Sequence, residues 1–430
     1  MSTPRSAARE DGADAPAVRR LADWDAAALR DLASEHGTPL YVLDVDRARE
    51  NLARLRAAFE RTERALSVRY AVKANAAPPL LSALAAADAG AECASAAEVE
   101  RALAAGVPAE RVRYTAVNPP ARDLNAVHER HDAGADLAVT VGARDTLDRL
   151  AERGFEGRIF VRVAPGVGAG HHEKVSVGDD PTFGVPPERA VDLLSEARER
   201  GMAPEGVHAH LGSGVSDDSE DLAAYRELVA RLAAVAAESA VEIETVAVGG
   251  GFGVPYHPDE PPVDLSAVAD AVHGELAGLD AALSIEPGRA VVADAGVLLS
   301  RVNTVRERAS AVVAGVDAGM TTLARPALYD AHHPIRSLAA DAADRETVGA
   351  TVTGPVCESA DVLCRNRPLA RPERGDVLAV GMAGAYGYAM ASPYNGRPRP
   401  ATVALEDGGA RLARRRETVA DLRRLEVDRR

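Results

Sequence analysis

The sequence predicts an α/β fold with a β addition: a (β/α)8 barrel of the TIM type, followed by a mostly β, sandwich-like or barrel-like domain. Three observations carry that prediction. Eight short apolar or β-branched runs alternate with helix-like stretches over roughly 250 residues, which is the size and order of a closed eight-stranded barrel. After about Ala293 the alternation stops, and strand-like runs separated by Gly/Pro turns take over. The chain has 430 residues, 47% of them hydrophobic and 27% charged, a globular balance with ample material for a large core.

The first twenty residues are polar and Ala-rich and are expected to fray. From Trp24 a short helix leads into Pro39–Leu43, read as a strand. Apolar spacing near 3.6 marks helices over Arg47–Phe59, Ala96–Ala105, Pro187–Arg200, Ser219–Ala237 and Ser266–Ala277. The eight barrel strands are expected at Ser67–Val72, Gly90–Ala94, Val112–Thr115, Leu137–Val141, Arg158–Val163, Gly206–Leu211, Thr245–Val248 and Ala282–Ile285. A doubly wound sheet is the alternative, but the glycine fingerprint of its first turn is missing. Further strands are expected at Val297–Val305, Ala311–Val316, Thr347–Thr353, Asp376–Val380 and Pro400–Leu405, and the charged stretch Arg411–Arg430 reads as a solvated helix or tail. The chain thus divides into residues 1–45, contributing to the β domain, a barrel over 46–295, and a C-terminal β domain over 296–430.

Composition narrows the function. The net charge of −15, with no long basic run, argues against nucleic acid or an anionic membrane as partner. No apolar stretch approaches the roughly 20 residues of a membrane span, and Met1–Glu10 lacks a signal-peptide core, so a cytoplasmic protein is expected. Three scattered cysteines, Cys93, Cys357 and Cys364, suit neither a disulfide scaffold nor a zinc site. Lysine occurs at Lys73 and Lys174 alone, every other basic residue being arginine. Salt adaptation and genomic base bias both produce that pattern.

Catalytic groups in such barrels sit at the C-terminal ends of the strands. The first strand runs into Lys73-Ala74-Asn75, the sixth into His208-Ala209-His210-Leu211-Gly212-Ser213, the seventh into Gly249-Gly250-Gly251, and the eighth into Glu286-Pro287-Gly288-Arg289. Taken singly, each has a plain structural reading: a snorkelling lysine, a core histidine, a tight turn, a surface ion pair. Taken together they describe one ligand. A desolvated lysine amine attacks an aldehyde, and His210 offers a flat face to a ring. The glycines and Ser213 suit a phosphate, since loops after strands seven and eight are the usual phosphate site. A carboxylate on an apolar strand needs a charge or polar hydrogen to pair with, such as a basic ring nitrogen. Pyridoxal 5′-phosphate has all four features.

With those residues in hand, the sequence resembles the fold-type III pyridoxal-phosphate decarboxylases from about Gly37 to Val403. The resemblance rests on Gly37-Thr38-Pro39-Leu40-Tyr41-Val42, on Tyr70-Ala71-Val72-Lys73-Ala74-Asn75 and on the strand-end motifs above. It continues in Arg325-Pro326-Ala327-Leu328-Tyr329, Gly354-Pro355-Val356-Cys357-Glu358-Ser359 and Gly384-Ala385-Tyr386-Gly387. It implies a homodimer with shared sites, in which Cys357 and Glu358 serve the neighbouring copy. It also implies that Lys73, Glu286, His210 and Cys357 are catalytic. Ser213, the three glycines, Gly288, Arg289 and Tyr386 would join Lys73, His210 and Glu286 around the cofactor. For the substrate, Arg289, Arg325 and Tyr329 would clamp a distal carboxylate, with Glu358 and Ser359 taking a distal ammonium and Tyr386 alongside. An amino acid with such a group at each end fits, as in meso-2,6-diaminopimelate giving L-lysine and CO2; carboxynorspermidine is the closest competitor. The chain departs from the family pattern at Glu92, often Asp, at Ser176-Val177-Gly178, and at Thr182-Phe183-Gly184.

Overall fold

The computed structural model describes residues 17–164, 166–167, 169–170, 183–308 and 311–427. The expectations for residues 1–16, Lys174, Ser176, Val177, Gly178 and Thr182 lie outside these residues. The chain divides into two compact units. One consists of the described residues of Met1–Glu50, Pro255–Pro262 and Val292–Arg430, and the other of Asn51–Val254 and Val263–Val291.

The second unit is the predicted barrel. Its eight parallel strands are Leu66–Ala71, Gly90–Cys93, Val112–Tyr114, Ala138–Val141, Arg158–Arg162, Ala203–His208, Thr245–Ala247 and Ala282–Ile285. The eighth pairs with the first at Leu283↔Leu66 and closes the ring. The longest outer helix, Ser219–Glu238, shows why these segments wind as they do. Asp218 Oδ1 accepts from the backbone N–H of Glu220 and Asp221 at 3.0 and 2.9 Å, capping the helix. Tyr225, Leu228, Val229, Leu232 and Val235 then recur on one buried face. Helices also form at Pro78–Ala86, Ala121–Asp132 and Arg144–Ala151, beyond those the spacing predicts. The sixth strand stops at His208 rather than Leu211. Beyond it the backbone turns away, and Gly212–Ser213 pairs instead with Ala169–Gly170.

In the other unit Leu40–Asp44 lies inside a sheet, antiparallel to Gly296–Arg308 and parallel to Ala401–Glu406. Both faces are buried at Leu40–Leu43 and Val297–Leu299, which is why these stretches read as unbroken apolar runs. Leu298 packs with Tyr41, Val316, Leu323 and Leu378 on one side. Its neighbours Val297 and Leu299 point to the opposite side, with Trp24, Leu29, Leu40 and Val42. Two expectations are corrected here. Arg19 and Arg20 are anchored rather than frayed: Arg19 pairs with Asp44 at 2.5 Å, and Arg20 donates to the carbonyls of His257 and Glu260. Residues 411–414 also belong to a strand, Gly409–Arg414, antiparallel to Ala401–Glu406. Asp407 and Gly408, both at positive φ, form the two-residue turn of that hairpin. A short helix, Val419–Arg423, follows. Among the described residues no helix is long and apolar enough to cross a membrane.

Candidate active site

The barrel unit gathers its marked residues at the strand ends. Lys73 sits in the short 3-10 turn Val72–Ala74 that ends the first strand. Tyr70 Oη donates to the carbonyl of Asn75 at 3.0 Å, and Asn75 Oδ1 accepts from Ala77 N–H at 3.0 Å, which fixes the turn. The Lys73 side chain is 43% exposed, yet its Nζ lies 2.6 Å from Oε2 of Glu92, a buried carboxylate on the second strand. The amine therefore ends on a carboxylate and does not simply snorkel into solvent.

Glu286 follows the eighth strand and is buried. Arg113 Nη1 donates to its Oε1 at 3.0 Å, and His208 Nε2 to its Oε2 at 3.0 Å. Burial pushes the carboxyl pKa up, but the charges and hydrogen bonds of His208, Arg113 and Lys73 outweigh it and hold it well below the usual carboxylate range. Burial lowers the pKa of His208, against the charge and hydrogen bond of Glu286, which raise it. Arg113, its other partner, stacks its guanidinium 3.6 Å from the centre of the Phe160 ring.

His210 Nδ1 accepts from Gly250 N–H at 3.3 Å, which leaves its proton on Nε2. Burial, aided by the charges of Lys73 and Arg162, lowers its pKa to about 3. It is a neutral ring in a fixed orientation. The glycines at 249–251 answer first to crowding. A Cβ on Gly250 would stand 2.1 Å from the carbonyl oxygen of Glu286, and one on Gly251, at φ +89, 2.3 Å from that of Gly212. The tight-turn reading is therefore correct as far as it goes, and the N–H of Gly250 is engaged by His210. Arg289 Nη2 donates to Ser213 Oγ at 2.9 Å, so the ends of strands six and eight present a guanidinium and a hydroxyl together.

The remaining candidates belong to the other unit. Arg325 is 2% exposed, at the start of the short helix Arg325–Tyr329, and Tyr329 is half-buried. Cys357, Glu358 and Ser359 are exposed, and Glu358 Oε1 accepts from Tyr394 Oη at 2.6 Å. Their loop is pinned by buried Asp361, whose Oδ1 and Oδ2 accept from Met320 and Val356 N–H, each at 2.6 Å. Tyr386 is half-buried, with its backbone at φ +56. The sequence reading gave no role to Arg113, His208 or Asp361. For the first two the signal was there, since a charged or polar residue flanked by apolar ones on a barrel strand belongs either to the surface or to a buried partner.

Comparison with known proteins identifies the family. The pyridoxal-binding domain of the pyridoxal-dependent decarboxylases matches residues 47–293. A diaminopimelate decarboxylase of Methanothermobacter thermautotrophicus is 40% identical over 403 residues, covering 92% of each chain. One from Deinococcus radiodurans is 37% identical, covering 93% of this chain and 98% of its own. The crystal structure of the Helicobacter pylori diaminopimelate decarboxylase complexed with L-lysine superposes with a TM-score of 0.85 at 33% identity, covering 93% of this chain and 99% of that one. With identity running through both units, the chain belongs to the diaminopimelate decarboxylase family of pyridoxal-dependent decarboxylases.

Proposed function

We propose that this chain decarboxylates meso-2,6-diaminopimelate, releasing CO2 and L-lysine, with pyridoxal 5′-phosphate as cofactor. The observation that carries the decarboxylase reading is the buried, ionised Glu286 on the same barrel end as Lys73. The donor set fits the cofactor: an amine for its aldehyde, a neutral ring at His210, glycine N–H groups with Ser213 and Arg289 for its phosphate, and a carboxylate for its basic nitrogen. Bound pyridoxal phosphate supplies the sink for the electron pair left at Cα as CO2 departs. Glu92, 2.6 Å from Nζ, is placed to take the proton that Lys73 must lose before it acts as a nucleophile. Glu286 would keep a proton on the cofactor's ring nitrogen, because a carboxylate held this far ionised does not take that proton itself. His210, neutral and oriented by Gly250, adds no competing positive charge.

The substrate's far end falls to Arg325, Arg289 and Tyr329, with Glu358 and Ser359 for its ammonium. Support for the double-ended substrate comes from the relatives' activity and from the L-lysine in the Helicobacter pylori complex. The chain acts in the cytoplasm as a homodimer in which Cys357, as the group that returns a proton to Cα, and Glu358 would complete the site of the neighbouring copy. Their exposure in the single chain supports this. The test is a CO2-release assay of the purified, cofactor-loaded protein on meso-diaminopimelate, L-ornithine and L-lysine. Lacking a far carboxylate for Arg325 to bind, the last two should be rejected by roughly 10²–10⁴ in kcat/KM. Equal rates on all three would reduce the assignment to a general basic-amino-acid decarboxylase.

A further inference from the structure

His333 and Tyr256 meet at Arg325. His333 is 0% exposed, and its Nδ1 lies 2.9 Å from the carbonyl oxygen of Gly381. A carbonyl only accepts, so Nδ1 carries the ring proton. The other ring nitrogen, Nε2, lies 2.9 Å from Nη1 of Arg325, and a guanidinium only donates. Both contacts are met together by a neutral ring with Nε2 bare; a protonated ring would set N–H against N–H. Tyr256 closes the arrangement. Its ring lies 4.6 Å from the Arg325 guanidinium and meets His333 edge-on at 5.4 Å. Tyr256 is itself held, because Glu260 Oε2 accepts from the N–H of Tyr256 and of His257, while Arg20 grips the carbonyls of His257 and Glu260.

We infer that His333 is a positioning residue for the substrate clamp. It reads the backbone at Gly381 with one nitrogen and sets the guanidinium plane of Arg325 with the other, while Tyr256 fixes the face of that plane. The inference rests on Arg325 binding the substrate's far carboxylate, as proposed above. An arginine side chain loses much rotamer freedom when it is fixed, and a buried acceptor that orients it removes that cost before the substrate arrives.

The two side-chain amides separate the contacts. In His333→Asn the amide N–H replaces Nδ1 and keeps the Gly381 bond, but the shorter side chain no longer reaches Arg325. In His333→Gln the amide oxygen reaches the Nε2 position and restores the acceptor. Steady-state kinetics with meso-diaminopimelate should show KM raised roughly tenfold to a hundredfold in His333→Asn with kcat little changed, and KM near native in His333→Gln. Inhibition gives a second readout. L-lysine keeps the far carboxylate and 1,5-diaminopentane lacks it, so His333→Asn should lose most of the native preference for L-lysine as inhibitor. Equal damage in both variants, or a native KM in His333→Asn while Arg325→Ala raises KM, overturns the positioning role and leaves the clamp standing. A native KM in Arg325→Ala overturns the clamp itself, and the inference with it. Should His333→Asn not fold, Tyr256→Leu tests the same arrangement: KM is expected to rise severalfold, and an unchanged KM overturns the inference.

Discussion

Glu286 and Glu358 are both carboxylates in motifs that resemblance assigns to one reaction, yet the two units treat them in opposite ways. Glu286 is buried, with one oxygen on Arg113 and the other on His208. Glu358 is exposed, and its Oε1 accepts from a tyrosine that is itself 47% exposed. In the barrel, electrostatics is set by desolvation and fixed partners within one chain, where a charge pair is strong and costly to disturb. At the Cys357–Glu358 loop, water screens whatever charge is presented, so chemistry there requires something to exclude it.

The largest expected effect tests that contrast directly. Lys73→Ala and Cys357→Ala should each abolish turnover as separate preparations. If the exposed loop works in a neighbour's barrel, mixing the two with subunit exchange should restore up to about a quarter of native activity, because half of the random pairs carry one intact site. No recovery despite demonstrated exchange would mean that each chain completes its own site.

Next comes Glu286→Gln. The amide offers neither the charge that holds a ring proton nor a second acceptor for the Arg113 and His208 donors. Turnover should fall on the order of a hundredfold to a thousandfold, with a smaller loss of cofactor affinity and a lower Tm. A cofactor titration beside the kinetics decides it, since equal losses in both would make Glu286 a binding group alone.

The smallest effect is a pH dependence. Because the pKa of His210 falls to about 3 on folding from its ordinary value near 6.5, the unfolded chain takes up a proton that the folded one does not. Stability is therefore lost as pH falls through that window, by up to about 1.4 kcal/mol per pH unit for this group. His210→Gln should flatten the decline in Tm of the cofactor-free protein between pH 6.5 and 4. An unchanged slope would show that other buried groups carry it.

The barrel's candidate residues were legible because they interrupt. Lys73 and Glu286 break apolar runs at strand ends, and the three glycines mark a turn too crowded for side chains. Arg113 was not legible in this way. It lies within a strand, and its partner Glu286 is 173 positions away, so no local spacing connects them. The helices left unread have equally physical reasons. Pro78–Ala86 is apolar nearly all round and shows no stripe, and Ala121–Asp132 carries so many charged residues that its two buried positions, Leu124 and Val127, make a weak period. The hairpin at Asp407-Gly408 was readable from its turn residues, but the surrounding arginines drew the reading toward a solvated tail.

The placement of Leu40–Asp44 has a consequence in time. This strand leaves the ribosome early, yet one of its two neighbours, Ala401–Glu406, is roughly 350 residues further on, which at synthesis rates of about 5–20 residues per second means tens of seconds. During that interval the barrel strands, from Leu66 to Ile285, are all made and are free to close upon one another. The apolar edge Leu40–Leu43 meanwhile waits for its cover, an unpaired strand of the kind that seeks other chains. The sheet that is first to begin is therefore the last to be finished, and its early strand is the segment a nascent chain has most need to shield.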